Sequence, residues 1–301
     1  MSTPALKAEA QAGTRATRAT HTTALLLYFA GVGCLSLMDA SVKLVATRYP
    51  VAEVSLLRFL FGTIVIGLIV AWMRPGWPSL DMMKINGLRS ILTSVLSLTF
   101  FFSLTALPLA EAVALSFLSP AFLALFGAWI LKERLSPRIG LALGVGFLGM
   151  LIIVGGKIGA SSYGPLALAG AAAAFASAVL YALSMVLLRA RAAVDPIPLI
   201  VLVLHVGATL LLAGPGLYVW QSVRPLDLAI FAGIGALGTC GHLLLANAFA
   251  RSQAGRLAAL EYTALLWAAA LGYVFFAEAP GFATIVGALF IVASAVLSNR
   301  A

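Results

Sequence analysis

Apolar stretches of bilayer length follow one another along almost the whole chain. They run at 24–46, 51–73, 86–107, 110–131, 137–156, 164–188, 196–220, 226–250, 254–277 and 280–298. A helix of about 20 residues, rising about 1.5 Å per residue, crosses a hydrocarbon core of about 30 Å. The breaks carry turn formers: Pro50, RPGWPSLD, Pro108, SPR, the Gly155–Gly156 pair, DPIP, RPLD and Pro280. Lipid offers no hydrogen-bond partners, so a spanning segment is a helix or a strand of a closed barrel. These runs lack the alternation of barrel strands. The pattern predicts an all-α polytopic membrane protein with ten transmembrane helices, and no connection is long enough to hold a soluble domain.

Composition agrees. Hydrophobic residues make up 62% of the 301 and charged residues 10%, against about 45–50% and 25% in soluble domains. The surplus of apolar surface must face lipid. The net charge of +9 does not signal nucleic acid, because the basic residues cap apolar runs and do not interleave with aromatics on one surface. Cys34 and Cys240 lie inside apolar runs and read as small hydrophobes. Residues 1–23 are small, polar and basic, which predicts a disordered cytoplasmic tail. Their lack of an early apolar core argues against a cleaved signal peptide.

Basic residues set the orientation. With the N-terminus inside, cytoplasmic segments hold Lys7, Arg15, Arg18, Arg74, Lys84, Arg89, Lys132, Arg134, Arg138, Arg189, Arg191, Arg251, Arg256 and Arg300. Outside lie Lys43, Arg48, Lys157 and Arg224, while Arg58 falls within a span. Fourteen against four is a strong bias and predicts both termini in the cytoplasm. Ten spans divide into two fives, and an odd number inverts the second set. A shift of 145 places Leu98, Ala114, Leu115, Ala124, Gly127 and Glu133 on Leu243, Ala259, Leu260, Ala269, Gly272 and Glu278. The first glutamate sits among Lys132, Arg134 and Arg138, and the second among Ala277, Ala279 and Ala283. A cytoplasmic loop whose counterpart is external should lose its basic residues in this way. The expected organisation is two inverted five-helix repeats, 24–156 and 164–298, a transporter architecture.

The junction LSPAFLALFGAWILKERLSPRIGLALGVGFLGMLIIVGG strongly resembles the EamA repeat of the drug/metabolite transporter superfamily. Pro120 within the fourth span, the glutamate of LKERLS, the glycine-spaced fifth span and Arg58 in LLRFLFG carry the likeness, which extends over 24–298. It implies a ten-helix exporter of small metabolites in a bacterial inner membrane, with no cofactor, and its layout is most similar to the YddG-like amino-acid exporters. One departure is Leu265 at the position matching Pro120, from which the two halves are expected to differ mechanically.

Polar groups within a bilayer are costly and mark candidate pathways. Asp39, Lys43, Glu53 and Arg58 sum to zero charge near the outer ends of the first two spans. They read as an ion-pair clamp or an external gate. His242 and Glu261 fall at matched depth near the inner ends of spans eight and nine, where the shifted positions hold Ser97 and Ser116. That pair reads as a proton relay, a ligand for an ammonium group, or a structural hydrogen bond. Ser94, Ser97 and Phe101 on span three, and Ser177 and Tyr181 on span six, lie at helical spacing. They line the pathway or serve close helix packing. Asn247 and Tyr262 complete the candidate set.

No HExxH, GxSxG, P-loop or metal-ligand cluster occurs, so nothing points to an enzyme. The leading reading is a monomeric secondary exporter of amino acids or similar metabolites, apolar and aromatic ones included, working by alternating access around a midplane cavity. Export of drugs or nucleotide-type metabolites is the alternative within transport. A membrane enzyme or lipid-handling protein using His242 and Glu261, and a passive channel, stand in other classes.

Overall fold

The computed structural model describes residues 4–45, 48–106, 115–155, 165–276 and 281–299, with backbone alone over 4–21. In chain order the helices are α1 (Pro4–Val45), α2 (Val51–Met73), α3 (Leu80–Ala106), α4 (Ser119–Ile130), α5 (Pro137–Gly155), α6 (Ala167–Ala192), α7 (Ile197–Tyr218) and α8 (Pro225–Arg251). The ninth span is interrupted. α9a (Ala254–Ala258) passes through a 3₁₀ turn (Ala259–Tyr262) into α9b (Thr263–Phe276), and α10 (Phe282–Asn299) follows. Six of the described helices are long and apolar enough to cross a membrane, and α4, α5 and α10 contain shorter apolar helices.

α1 begins at Pro4, within the stretch expected as a tail. PALKAEAQAGTRATRA is dominated by strong helix formers, and proline suits a first helical turn.

α8 sits between α1 and α2 and packs on both. Its glycines permit this. A Cβ on Gly235 would stand 2.6 Å from the Gly62 nitrogen, and one on Gly241 would stand 2.7 Å from Leu35. Small residues at helix interfaces let backbones approach in this way. Cys34 on α1 and Cys240 on α8 are both free thiols, with sulfurs 3.8 Å apart.

The closest helix pairings are α1 with α8, α3 with α6, α2 with α7, α5 with α10, α4 with α9a, α2 with α8, α3 with α7, α1 with α9b and α4 with α6. Exchanging each helix for the one five places away returns the same set. The two halves therefore meet through equivalent surfaces, and an apolar cavity lies between them.

Both halves also break their fourth helix in the same register. Residues 117–118 form a turn before α4, whose first turn contains Pro120. The shifted stretch is the end of the 3₁₀ turn. Leu265 thus stands where the first half has Pro120, and the second half is broken there without a proline. There the break has another source: Thr263 Oγ1 donates to the Leu260 carbonyl at 2.6 Å, a side-chain bond that competes with helix geometry.

Candidate functional site

A cavity of about 240 Å³ is lined from α1 by Val32, Leu35, Ser36, Met38 and Asp39, from α2 by Arg58, and from α3 by Thr93, Leu96, Ser97, Phe100 and Phe101. The far wall holds Ser116, Phe117, Ser119, Ser177, Ala178, Tyr181, Met185, His242, Glu261 and Ala264. Ten of these lining residues fall into pairs separated by 145 positions: Val32 and Ser177, Ser36 and Tyr181, Ser97 and His242, Ser116 and Glu261, Ser119 and Ala264. The shared cavity is thus built from matching positions in both halves. Its chemistry is unequal, because three serines of the first half face a tyrosine, a histidine and a glutamate in the second.

Glu261 lies in the 3₁₀ turn of span nine, where the broken helix turns its side chain into the cavity. Mid-helix 3₁₀ segments often mark functional hinges. Tyr181 of α6 donates to Glu261 Oε1 at 2.7 Å, and Tyr28 of α1 donates to the same oxygen. Both phenols converge on Oε1, which leaves Oε2 for a group entering the cavity. A carboxylate oriented by two phenols from separate helices is a preorganised acceptor for a cation.

His242 also faces the cavity, yet the expected His242–Glu261 hydrogen bond is absent. Both ring nitrogens of His242 are buried without a partner among the described residues. The ring meets His205 edge-on, with centroids 5.4 Å apart. His205 is anchored through Nδ1 to the Val201 carbonyl at 2.9 Å. Equal depth along two helices did not join His242 to Glu261, whose described partners are Tyr28 and Tyr181.

Asp39 and Arg58 both line the cavity, but they form no ion pair within 4.0 Å. The ion pairs among the described residues are Arg48–Asp227, Arg189–Glu133 and Arg191–Asp195. The two opposite charges still act on each other across the cavity, with α8 packed on both α1 and α2. Glu53 lies apart from the cavity, fully buried, with Oε2 accepting from the Gln221 N–H at 3.1 Å. The Lys43 side chain lies outside the described residues. At that end the fastening runs through Asp227, which accepts from Arg48 at 2.9 Å and from the Tyr49 hydroxyl at 2.8 Å.

Of the other expected residues, Ser97, Phe101, Ser177 and Tyr181 line the cavity, and three do not. Ser94 is buried and donates to the Ser90 carbonyl at 2.8 Å. Asn247 turns along α8 to the Leu243 carbonyl at 2.9 Å and receives Arg251 at 2.9 Å. Tyr262 is buried and stacks on Phe117 at 6.2 Å. Tyr28, Ser36 and Thr93 were missed. Ser36 was within reach, since it is the 145-shifted partner of Tyr181.

Comparison with known proteins agrees with this geometry. The model of the EamA-like transporter family matches twice, at residues 22–155 and 168–300. The pseudopaline exporter CntI of Pseudomonas aeruginosa is 31% identical over 274 residues, covering 88% of this chain and 92% of that protein. The S-adenosylmethionine uptake transporter of Rickettsia prowazekii is 25% identical over 258 residues, 85% of each. A crystal structure at 22% sequence identity superposes with a TM-score of 0.76 over 92% of this chain and 97% of its own, which shows likeness of fold.

Proposed function

Because the chain belongs to the EamA-like transporter family, we propose that it is a secondary exporter of small zwitterionic metabolites, amino acids first among them. It is an integral membrane transporter of the bacterial inner membrane. One observation carries it: Glu261, whose phenol donors among the described residues both sit on Oε1, and Arg58 line the same small cavity. An ammonium group needs the first and a carboxylate the second, and charge-assisted contacts of this kind are the strong ones.

Cavity size supports a small cargo, since about 240 Å³ falls below the roughly 300–1,000 Å³ of pockets for drug-sized ligands. Phe100, Phe101, Phe117 and Met185 suit an apolar or aromatic side chain. Nucleotide-type cargo would call for several basic side chains around its phosphates, whereas Arg58 is the one lysine or arginine among the described lining residues. The relatives include one named exporter and one named uptake transporter, and the more similar of those two is the exporter.

The halves are read as inverted repeats, with both termini and the α4–α5 connection cytoplasmic. Along α1 the lining begins at Val32, while Leu25 and Tyr28 before it are buried in the core. Along α6 it stops at Met185, ahead of buried Leu188 and Ala192. Buried Val42 and Val45 follow the lining on α1, and buried Ala174 precedes it on α6, so the cavity lies at mid-depth, where an alternating-access cycle places its binding site.

Counterflow in proteoliposomes, with a panel of amino acids, nucleosides and quaternary amines, tests the proposal. Saturable exchange of apolar amino acids is expected. Exchange confined to nucleosides or quaternary amines would overturn it.

A further inference from the structure

At the α4–α5 end of the bundle, one carboxylate gathers four elements. Glu133 Oε1 accepts from Arg189 Nε of α6 at 3.0 Å, and Oε2 accepts from the Ala254 backbone N–H, the first residue of α9a, at 2.8 Å. The same arginine sends Nη1 to the Phe249 carbonyl near the end of α8 at 2.8 Å. The loop after α4, α6, α8 and α9a are tied at a single point.

The chain gives up backbone comfort to build it. Lys132 adopts φ +54°, a left-handed conformation that costs a non-glycine residue about 1–2 kcal/mol. This turn folds the chain back so that the Glu133 N–H reaches the Gly127 carbonyl at 3.2 Å. Gly127 in turn lets α4 approach α9a, since a Cβ there would stand 3.0 Å from the Ala254 Cβ. Strain held by the surrounding structure is a pointer to function.

We propose that Glu133 is the latch of the α4–α5 end, holding α6, α8 and α9a together and so keeping that end shut. The proposal rests on the alternating-access reading, although not on the identity of the cargo. α6 and span nine are joined at two rungs: Tyr181 on Glu261 at the cavity, and Arg189 through Glu133 to the Ala254 N–H at the end. The rungs lie eight residues apart on α6, so opening this end requires both to break. Cargo at Glu261 bears on the first rung alone, and Glu133 holds the second. Glu133 is thus a positioning residue that sets which end opens.

The test is the accessibility of two reporter cysteines in nanodiscs, in a Cys34→Ala, Cys240→Ala background, with a charged methanethiosulfonate reagent. Leu257→Cys reports the latch end, where Leu257 is fully buried, and Ser36→Cys reports the cavity. In Glu133→Gln, labelling at 257 should rise about tenfold or more while labelling at 36 falls. Lys132→Gly, which relieves the left-handed strain, should move labelling at 257 the other way by about fivefold. A loosened fold would raise both reporters together. That result, or unchanged rates at both positions in Glu133→Gln, would overturn the proposal. Neither readout depends on which metabolite is carried.

Discussion

Tyr181 on α6 donates to Glu261 across 2.7 Å, and through that bond the first helix of the second half holds the break in its fourth. Tyr28 of the first half donates to the same oxygen. The carboxylate thus joins α1, α6 and the 3₁₀ turn, so any group that competes for it alters contacts between the halves. A binding site placed there is also a point from which conformation can be biased.

Replacing either tyrosine should separate orientation from charge. Tyr181→Phe and Tyr28→Phe each remove one hydrogen bond to an ionised group, worth about 1.5–3 kcal/mol, and leave the carboxylate in place. Counterflow should show KM raised about tenfold or more in each, with saturable transport retained. Unchanged KM in both would mean that the phenols do not orient Glu261 for cargo.

Asp39 and Arg58 both line the cavity without an ion pair within 4.0 Å. The two charges act on each other only at longer range, and Arg58 is placed to hold cargo, so exchanging them, Asp39→Arg with Arg58→Asp, should restore little of what Arg58→Gln loses. Recovery of counterflow in the exchanged protein would show that the two act as a compensating pair.

Gly235→Ala should lower the Tm of the purified protein, since its Cβ would stand 2.6 Å from Gly62 nitrogen and from Phe61 Cβ. Overpacking costs about 1–3 kcal/mol. Gly233→Ala, with nothing within 4 Å, is the matched control and should leave Tm unchanged or raised, because alanine favours the helix. Equal Tm values for the two variants would contradict the packing of α8 against α2.

Inverted repeats fix which connections face out. Single cysteines at Gly281 and Ser136, both outside the helices, should react differently with an impermeant reagent on intact cells. Labelling at 281 and protection at 136 is expected. The reverse pattern would contradict the inversion.

Much of this fold was legible in the sequence because lipid imposes a blunt rule: long apolar runs, punctuated by proline and glycine, become helices. The 145-residue shift reached further, since it placed Ser97 with His242 and Ser116 with Glu261, and all four line the cavity. Sequence reasoning failed where lateral packing decides. Nothing in the order of spans shows that α8 packs on both α1 and α2, which leaves Asp39 and Arg58 on one cavity without a direct ion pair. Depth along a helix likewise carries no azimuth. His242 and Glu261 were matched in depth, yet the partners of Glu261 are Tyr28 and Tyr181. Tyr28, on an apolar face near the start of the first span, gave no signal of its own.

The most direct measurement compares an apolar amino acid with its analogue lacking the ammonium group, in wild type and Glu261→Gln, by counterflow KM. If Glu261 holds the ammonium, the wild type should prefer the amino acid by about tenfold or more, the weight of one charged hydrogen bond. Glu261→Gln should lose that preference while binding the analogue as before. The same preference in both proteins would contradict the assignment of Glu261 as the ammonium site.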